Sequence, residues 1–170
     1  MQRCAGFTLL EVLVAMFVLA VGVLGAAGTQ ATSARLRQQA ALESDAVALA
    51  SSLAARMRVN PAQMALPDAS NPYLQLDYDA AAGPPLAPPI QCFGTAACNA
   101  AQLAQFDVHE LARGVHDAFP DGRILVCRDA GSAAPPGWTC AAAGNAPVVV
   151  KIGWRKGTAA TPFVAMVVAG

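Results

Sequence analysis

GFTLLEVLVAMFVLAVGVLG, residues 6 to 25, is almost entirely hydrocarbon and carries one carboxylate, Glu11, near its start. An acid at the centre of a membrane-spanning helix costs about 2.5–3.5 kcal/mol on insertion scales. Glu11 therefore needs a reason: a depth shallow enough to reach the headgroups, a place in an ordinary export signal, or a partner of opposite charge. The apolar run extends from Phe7 to Gly28. As a helix rising 1.5 Å per residue it measures about 33 Å, enough to cross a hydrocarbon core of about 30 Å. MQRCAG stands ahead of it, with Arg3 and the terminal amine as positive charges, so the positive-inside rule keeps that end in the cytoplasm. Everything beyond Gly28 is then expected to be exported.

The whole chain is 170 residues, room for one domain rather than two. It is 55% hydrophobic and 13% charged, a bias that a membrane segment explains. With 11 basic and 11 acidic side chains, zero net charge and no run of Lys or Arg, it lacks the clustered cations that phosphate binding uses, which argues against nucleic acid as a partner. Of five cysteines, Cys4 lies in the cytoplasmic head, leaving Cys92, Cys98, Cys127 and Cys140 in the exported part, where disulfides persist. Four cysteines allow three pairings. Local pairing, Cys92 with Cys98 and Cys127 with Cys140, is favoured because each closes a small loop containing Gly or Pro. Zinc is the alternative, but these spacings lack the tight knuckle of structural zinc sites.

The helical pattern continues past the membrane. From Thr29 to Asn60 there is no Gly or Pro, and Leu42, Ala46, Leu49, Leu53 and Met57 recur on one helical face, opposite Glu43, Asp45 and Arg56. One continuous helix, Phe7 to Asn60, roughly 80 Å long, is the simplest reading. Asn60-Pro61 ends it, because proline disfavours a helical residue before it. Gly22, Gly25 and Gly28 interrupt the apolar half and serve either close helix contact or a hinge.

Residues 61 to 91 hold seven of the twelve prolines and read as a loop with no regular element. An amphipathic helix follows, about Ala100 to Phe119, with Ala104, Val108, Leu111, Val115 and Phe119 on one side. Phe119-Pro120-Asp121-Gly122 turns the chain. Three strands are expected after it, Arg123 to Arg128, Pro147 to Arg155 and Pro162 to Val168. In the second, Val148, Val150, Ile152 and Trp154 alternate with Val149, Lys151 and Gly153, the pattern of an antiparallel sheet with one covered side. The amphipathic half of the long helix is the expected cover.

No catalytic set emerges. His109-Glu110-Leu111-Ala112-Arg113 begins like a zinc-protease helix, but Arg113 stands where the second histidine belongs, and a solvated helix face is the simpler reading. No nucleophile elbow or P-loop occurs. Trp154 reads as core and Trp138 as a loop anchor. The chain is expected not to be an enzyme and to need no cofactor.

The stretch GFTLLEVLVA resembles the prepilin leader and N-terminal helix of type IV pilins and pseudopilins: glycine, an aromatic, threonine, two leucines and glutamate behind a short basic leader. The resemblance implies that a prepilin peptidase cuts between Gly6 and Phe7, that Phe7 is then N-methylated, and that Glu11 meets the N-terminal amine of a neighbouring subunit. A buried carboxylate becomes tolerable beside such an amine. It implies an α+β pilin fold over the whole chain: leader 1–6, transmembrane half-helix 7–28, amphipathic half-helix 29–60, and a periplasmic globular domain 61–170 whose antiparallel sheet packs on the helix. The segment CFGTAACNAAQLAQFDVHELARGVHDAFPDGRILVCRD and the later Val-rich strand closing on GWR resemble PilV-type minor pilins, the type IV pilus modification proteins. That implies a subunit of a priming or tip complex in the bacterial inner membrane. Its partners would be other minor pilins, the major pilin, the assembly platform and the lipid bilayer. The rival readings are a type II secretion pseudopilin, and an exported soluble protein cut after Gly28. Against the second stand Glu11, the length of the apolar run and the unbroken helical pattern.

Overall fold

Helix α1 runs from Leu9 to Val59 without a break. Its long Ala- and Leu-rich sequence favours helix throughout, and Asn60 before Pro61 stops it. The computed structural model describes residues 8–88, 90–131, 137–141, 145–154 and 164–169. The chain divides into two units, one ending at Ala41 and one beginning at Leu42, with α1 contributing to both.

In the first unit α1 is exposed over its apolar length, and among the described residues it is the one helix long and apolar enough to cross a membrane. It stays regular through Gly22, Gly25 and Gly28, and among the described residues nothing beyond the helix's own neighbouring backbone lies within 4 Å of the place a Cβ would take at any of them. The expected start at Phe7 lies outside the described residues.

The second unit is a layer of helices on a sheet. The short helix α2 (Pro61–Met64) follows α1, then single 3-10 turns at Asp68–Ser70 and Pro72–Gln75, strand β1 (Asp77–Asp79) and a third turn at Ala80–Ala82. Helix α3 (Ala100–Ala118) precedes strands β2 (Arg123–Arg128), β3 (Val148–Gly153) and β4 (Val164–Ala169). The four strands lie in sequence order, each antiparallel to the next. Val126 faces Val150 and Ile124 faces Ile152, so the two buried rows stack on the helix side. There α1 supplies Ala46, Ala50, Leu53, Ala54 and Met57, and α3 supplies Ala104, Leu111, Ala112 and Val115. The small alanines let the helices approach the sheet closely, and burial of the branched side chains contributes about 1.5–3 kcal/mol each.

Two expectations need correction. Residues 61–91 are not without regular structure: β1 occupies an edge of the sheet, and its two aspartates hide it from propensity because pairing with β2 holds it, not its own residues. β3 is not covered on one side only; all six of its residues are buried. On the second face Lys151 bonds to the carbonyls of Gly137 and Thr139, and Cys127 of β2 is disulfide-bonded to Cys140. The expected strand ends at Arg155 and Pro162 lie outside the described residues.

Candidate functional site

Three features of this chain are arranged by more than core packing. At the start of α1, Thr8 accepts the backbone N–H of Glu11 through both its carbonyl, at 3.1 Å, and its hydroxyl, at 3.3 Å. Thr-x-x-Glu is the capping-box pattern, and it places Glu11 in the first turn, where the helix dipole favours an anion. A short polar side chain thus satisfies a helix-end donor that lipid would leave bare. Gly6 and Phe7, the residues of the expected cut, lie outside the described residues, as does Cys4.

The second feature ties α1 to α3. Asp107, on the core side of α3 with a side chain 5% exposed, pairs with Arg56 of α1 and accepts a 2.8 Å hydrogen bond from the Tyr73 hydroxyl. Asn60 donates to Tyr73 Oη at 3.4 Å and to the Ala100 carbonyl at 2.8 Å, joining the end of α1 to the start of α3. Burial first, and then the bond to Asp107, hold the Tyr73 phenol well above its ordinary range, so it stays a donor at any physiological pH. Helix α3 itself starts at a capping box between Asn99 and Gln102.

The third feature closes the outer face of the sheet. Lys151 of β3 is 1% exposed and donates to the carbonyls of Gly137 and Thr139, both at 2.8 Å, and to Asp129 Oδ2 at 2.5 Å. Asp129 in turn accepts N–H bonds from Gly131 and Ala141. The Lys151 hydrogen bond, followed by those backbone donors, draws the Asp129 carboxyl below its usual range. Cys127 is disulfide-bonded to Cys140 across the same segment, and Arg123 stacks over Trp138 with its guanidinium 4.6 Å from the ring centroid. Disulfide, ammonium and cation–π contact thus hold one cap. The other bond joins Cys92 to Cys98, and Phe93 between them packs edge-on against Phe106 of α3 at 4.7 Å.

The histidines lie on a face that is not simply solvated. The His109 imidazole donates from Nδ1 to the Leu86 carbonyl at 2.9 Å. Tyr78 Oη lies 2.8 Å from both the Gly83 carbonyl and His116 Nδ1. Since Gly83 can only accept, the hydroxyl proton goes to it and His116 donates to the Tyr78 oxygen. Two histidines seven residues apart therefore strap the proline-rich segment onto α3. Trp154, fully buried, packs on Phe119 at 5.4 Å between ring centroids, and Trp138 anchors the cap. Among the described residues no group of three His, Cys, Asp or Glu gathers as a metal site.

Sequence reading missed Asp107, Lys151 and Asp129. Asp107 does fall within the Ala104–Leu111 stripe of α3, and Lys151 sits in a strand apolar on both sides of it. A charge in such a setting is the signal of a buried pair.

Comparison with known proteins bears on the same regions. Residues 1–27 match the prokaryotic N-terminal methylation motif, and residues 28–109 match the family described as type IV pilin Tt1218. No curated protein and no solved structure matches the chain. The two family matches cover α1, the proline-rich segment and the first half of α3.

Proposed function

We propose that this chain, which belongs to the type IV pilin-like family, serves as a minor pilin of the PilV kind, anchored in the inner membrane and built into a complex that starts or tips a type IV pilus. The family is structural, so the chain is not an enzyme. The N-terminal methylation motif implies processing by a prepilin peptidase and assembly with other pilins. In this reading the cut falls between Gly6 and Phe7, Phe7 is N-methylated, and the domain beyond residue 28 stands in the periplasm.

The observation that carries the reading is the apolar first half of α1, exposed along its length and bearing Glu11 in its first turn. Such a helix has no place in water. It is at home in a bilayer and afterwards in a bundle of like helices, where Glu11 meets the N-terminal amine of the neighbour. Leaving that carboxylate unpaired in an apolar bundle costs several kcal/mol, so the pair selects one axial register. A minor role is supported by the proline-rich segment, the strapped helix α3 and the apolar last strand, which suit contacts with unlike neighbours better than endless repetition of one surface.

Deletion of the gene tests the reading. Near-total loss of surface pili, with the major subunit still in the membrane, is expected. Abundant normal pili would overturn it, as would this chain forming the main band of sheared filaments.

A further inference from the structure

We propose that Arg35 and Arg37 form a collar on α1 that binds the phosphates of membrane phospholipids in the leaflet beyond Gly28. The inference rests on the membrane-anchored reading above and adds the place and chemistry of one contact with the bilayer. Between Glu11 and Arg35 the chain carries no charged side chain, and α1 is continuous through the whole stretch. Arg35 and Arg37 are thus the first charges past the apolar run, and both are exposed. Neither forms an ion pair among the described residues. Nor does α1 place a carboxylate three or four residues from either, the spacing at which a helix pairs its own charges.

Their depth follows from helix geometry. At 1.5 Å per residue the Cα atoms of Arg35 and Arg37 stand about 10 and 13 Å beyond Gly28, where the apolar run ends. Helical side chains lean toward the helix N-terminus, here back toward the membrane, and an arginine stem reaches about 5 Å that way. The two guanidiniums then lie about 5–8 Å past the hydrocarbon, the depth of a headgroup layer that is itself about 5–8 Å thick on each side. The hydroxyls on the intervening turns do not need water. Thr29 Oγ1 donates to the Ala26 carbonyl at 2.9 Å and Thr32 Oγ1 to the Gly28 carbonyl at 3.2 Å.

Direction names the partner. Each residue of a helix turns by about 100°, so Arg35 and Arg37 point to nearly opposite sides of α1, with Leu36, 66% exposed, between them. A protein surface docked on one side of the helix meets only one of them. A headgroup layer surrounds the helix and meets both at one depth, and its phosphates match the guanidinium fork, which holds two oxygens of one phosphate. The same depth places the other end of the span. With Gly28 at one edge of a hydrocarbon core of about 30 Å, Glu11 stands about 26 Å in, within one helical turn of the opposite edge. Its side chain leans toward that edge, so the carboxylate reaches headgroups rather than the centre of the bilayer.

The test reconstitutes the full chain, carbon-13 labelled at arginine Cζ, at low density in vesicles of phosphatidylethanolamine and phosphatidylglycerol. Solid-state NMR then measures how far lipid phosphorus dephases the Cζ signal, which reports direct guanidinium–phosphate contact. Clear dephasing is expected in the wild type. Arg35→Gln combined with Arg37→Gln should lose most of it, the remainder coming from Arg3 at the opposite headgroups, whereas Arg58→Gln should leave it unchanged. Equal helix content of all variants, and equal resistance of residues 12–28 to hydrogen exchange, show that fold and insertion are kept. Dephasing that is the same in the double variant and the wild type would overturn the proposal. A saturable shift of the Arg35 and Arg37 side-chain signals by inorganic phosphate in maltoside micelles would overturn it in favour of a site for the free anion. If residues 12–28 resist exchange in the vesicles while these arginine carbons are not dephased, the membrane anchor stands and the collar does not. If residues 12–28 exchange freely there, the anchor fails and the collar with it.

Discussion

Lys151 is held inside the second unit because all three of its ammonium protons have acceptors, two carbonyls and Asp129. The arrangement is asymmetric, and that yields a prediction. Asp129→Ala leaves an ammonium buried without its counter-charge and should cost about 3–5 kcal/mol, whereas the double replacement Lys151→Met with Asp129→Asn removes both charges and should cost clearly less. Urea unfolding of a chain beginning at Thr29 checks both. The pH dependence follows from the lowered Asp129 carboxyl. A carboxyl that ionises more readily in the folded chain binds fewer protons there than when unfolded. Its contribution is therefore complete above the ordinary carboxylate value of 3.8 and is lost as the pH falls through the lower folded value. Melting curves below about pH 4 should show a steeper acid loss for the wild type than for Asp129→Asn. Glu11 makes the opposite case, a carboxylate with no ion-pair partner among the described residues. Glu11→Val should insert as well as the wild type or better, since a costly group leaves the bilayer, yet fail to enter filaments. Equal recovery of the variant and the wild type in sheared pili would show that the carboxylate has no assembly role.

Between α3 and β2 the chain turns in a single step, with Gly122 N–H bonded to the Phe119 carbonyl at 3.1 Å, Pro120 next and Asp121 at φ 50°. Proline followed by a positive φ is the type II pattern. A Cβ on Gly122 would stand 2.8 Å from both Val115 Cγ1 and the Val115 carbonyl, and 2.9 Å from Phe119 Cβ. Gly122→Ala should therefore cost about 1–3 kcal/mol, read from the urea midpoint, because backbone and branched carbon cannot move aside cheaply. This turn was legible in the sequence, as were α1, α3 and the order of β2 to β4, because each rests on a local signal: periodicity, a capping residue, a turn dipeptide. β1 was not, since Asp77-Tyr78-Asp79 has no strand preference and exists through its pairing with β2. The buried charges were not read either. Asp107 and Lys151 stand out as charges in apolar settings, but the partner from a distant segment, Arg56 or Asp129, cannot be named until the fold brings it to face them. Glu11 was legible by its cost alone, while its cap on Thr8 needed the helix start to be seen.

At the scale of the whole molecule, the division of the chain between Ala41 and Leu42 agrees with where burial begins. Every buried side chain of α1 lies between Ala46 and Met57, and Leu42 and Leu49 add partial cover. Among the described residues, those before Gln39 contribute nothing to the core, so the second unit does not need them. A chain beginning at Thr29 should then be soluble and monomeric, with a cooperative unfolding transition and both disulfides formed after oxidising expression. A chain beginning at Asn60 is the decisive contrast. It keeps the sheet, α3 and both disulfides, yet it uncovers Ile124, Val126, Val150 and Ile152 over the area that α1 occupies, and it strips Asp107 of Arg56. Losing Leu53 and Met57 alone forgoes about 3–6 kcal/mol of burial, comparable with the whole stability of a domain this size. That fragment should bind hydrophobic dyes, lose its cooperative transition and aggregate. Gel filtration and thermal melting of the two fragments decide the point: if the shorter one also runs as a monomer and melts cooperatively, α1 is an anchor laid beside a self-sufficient domain and not part of its core.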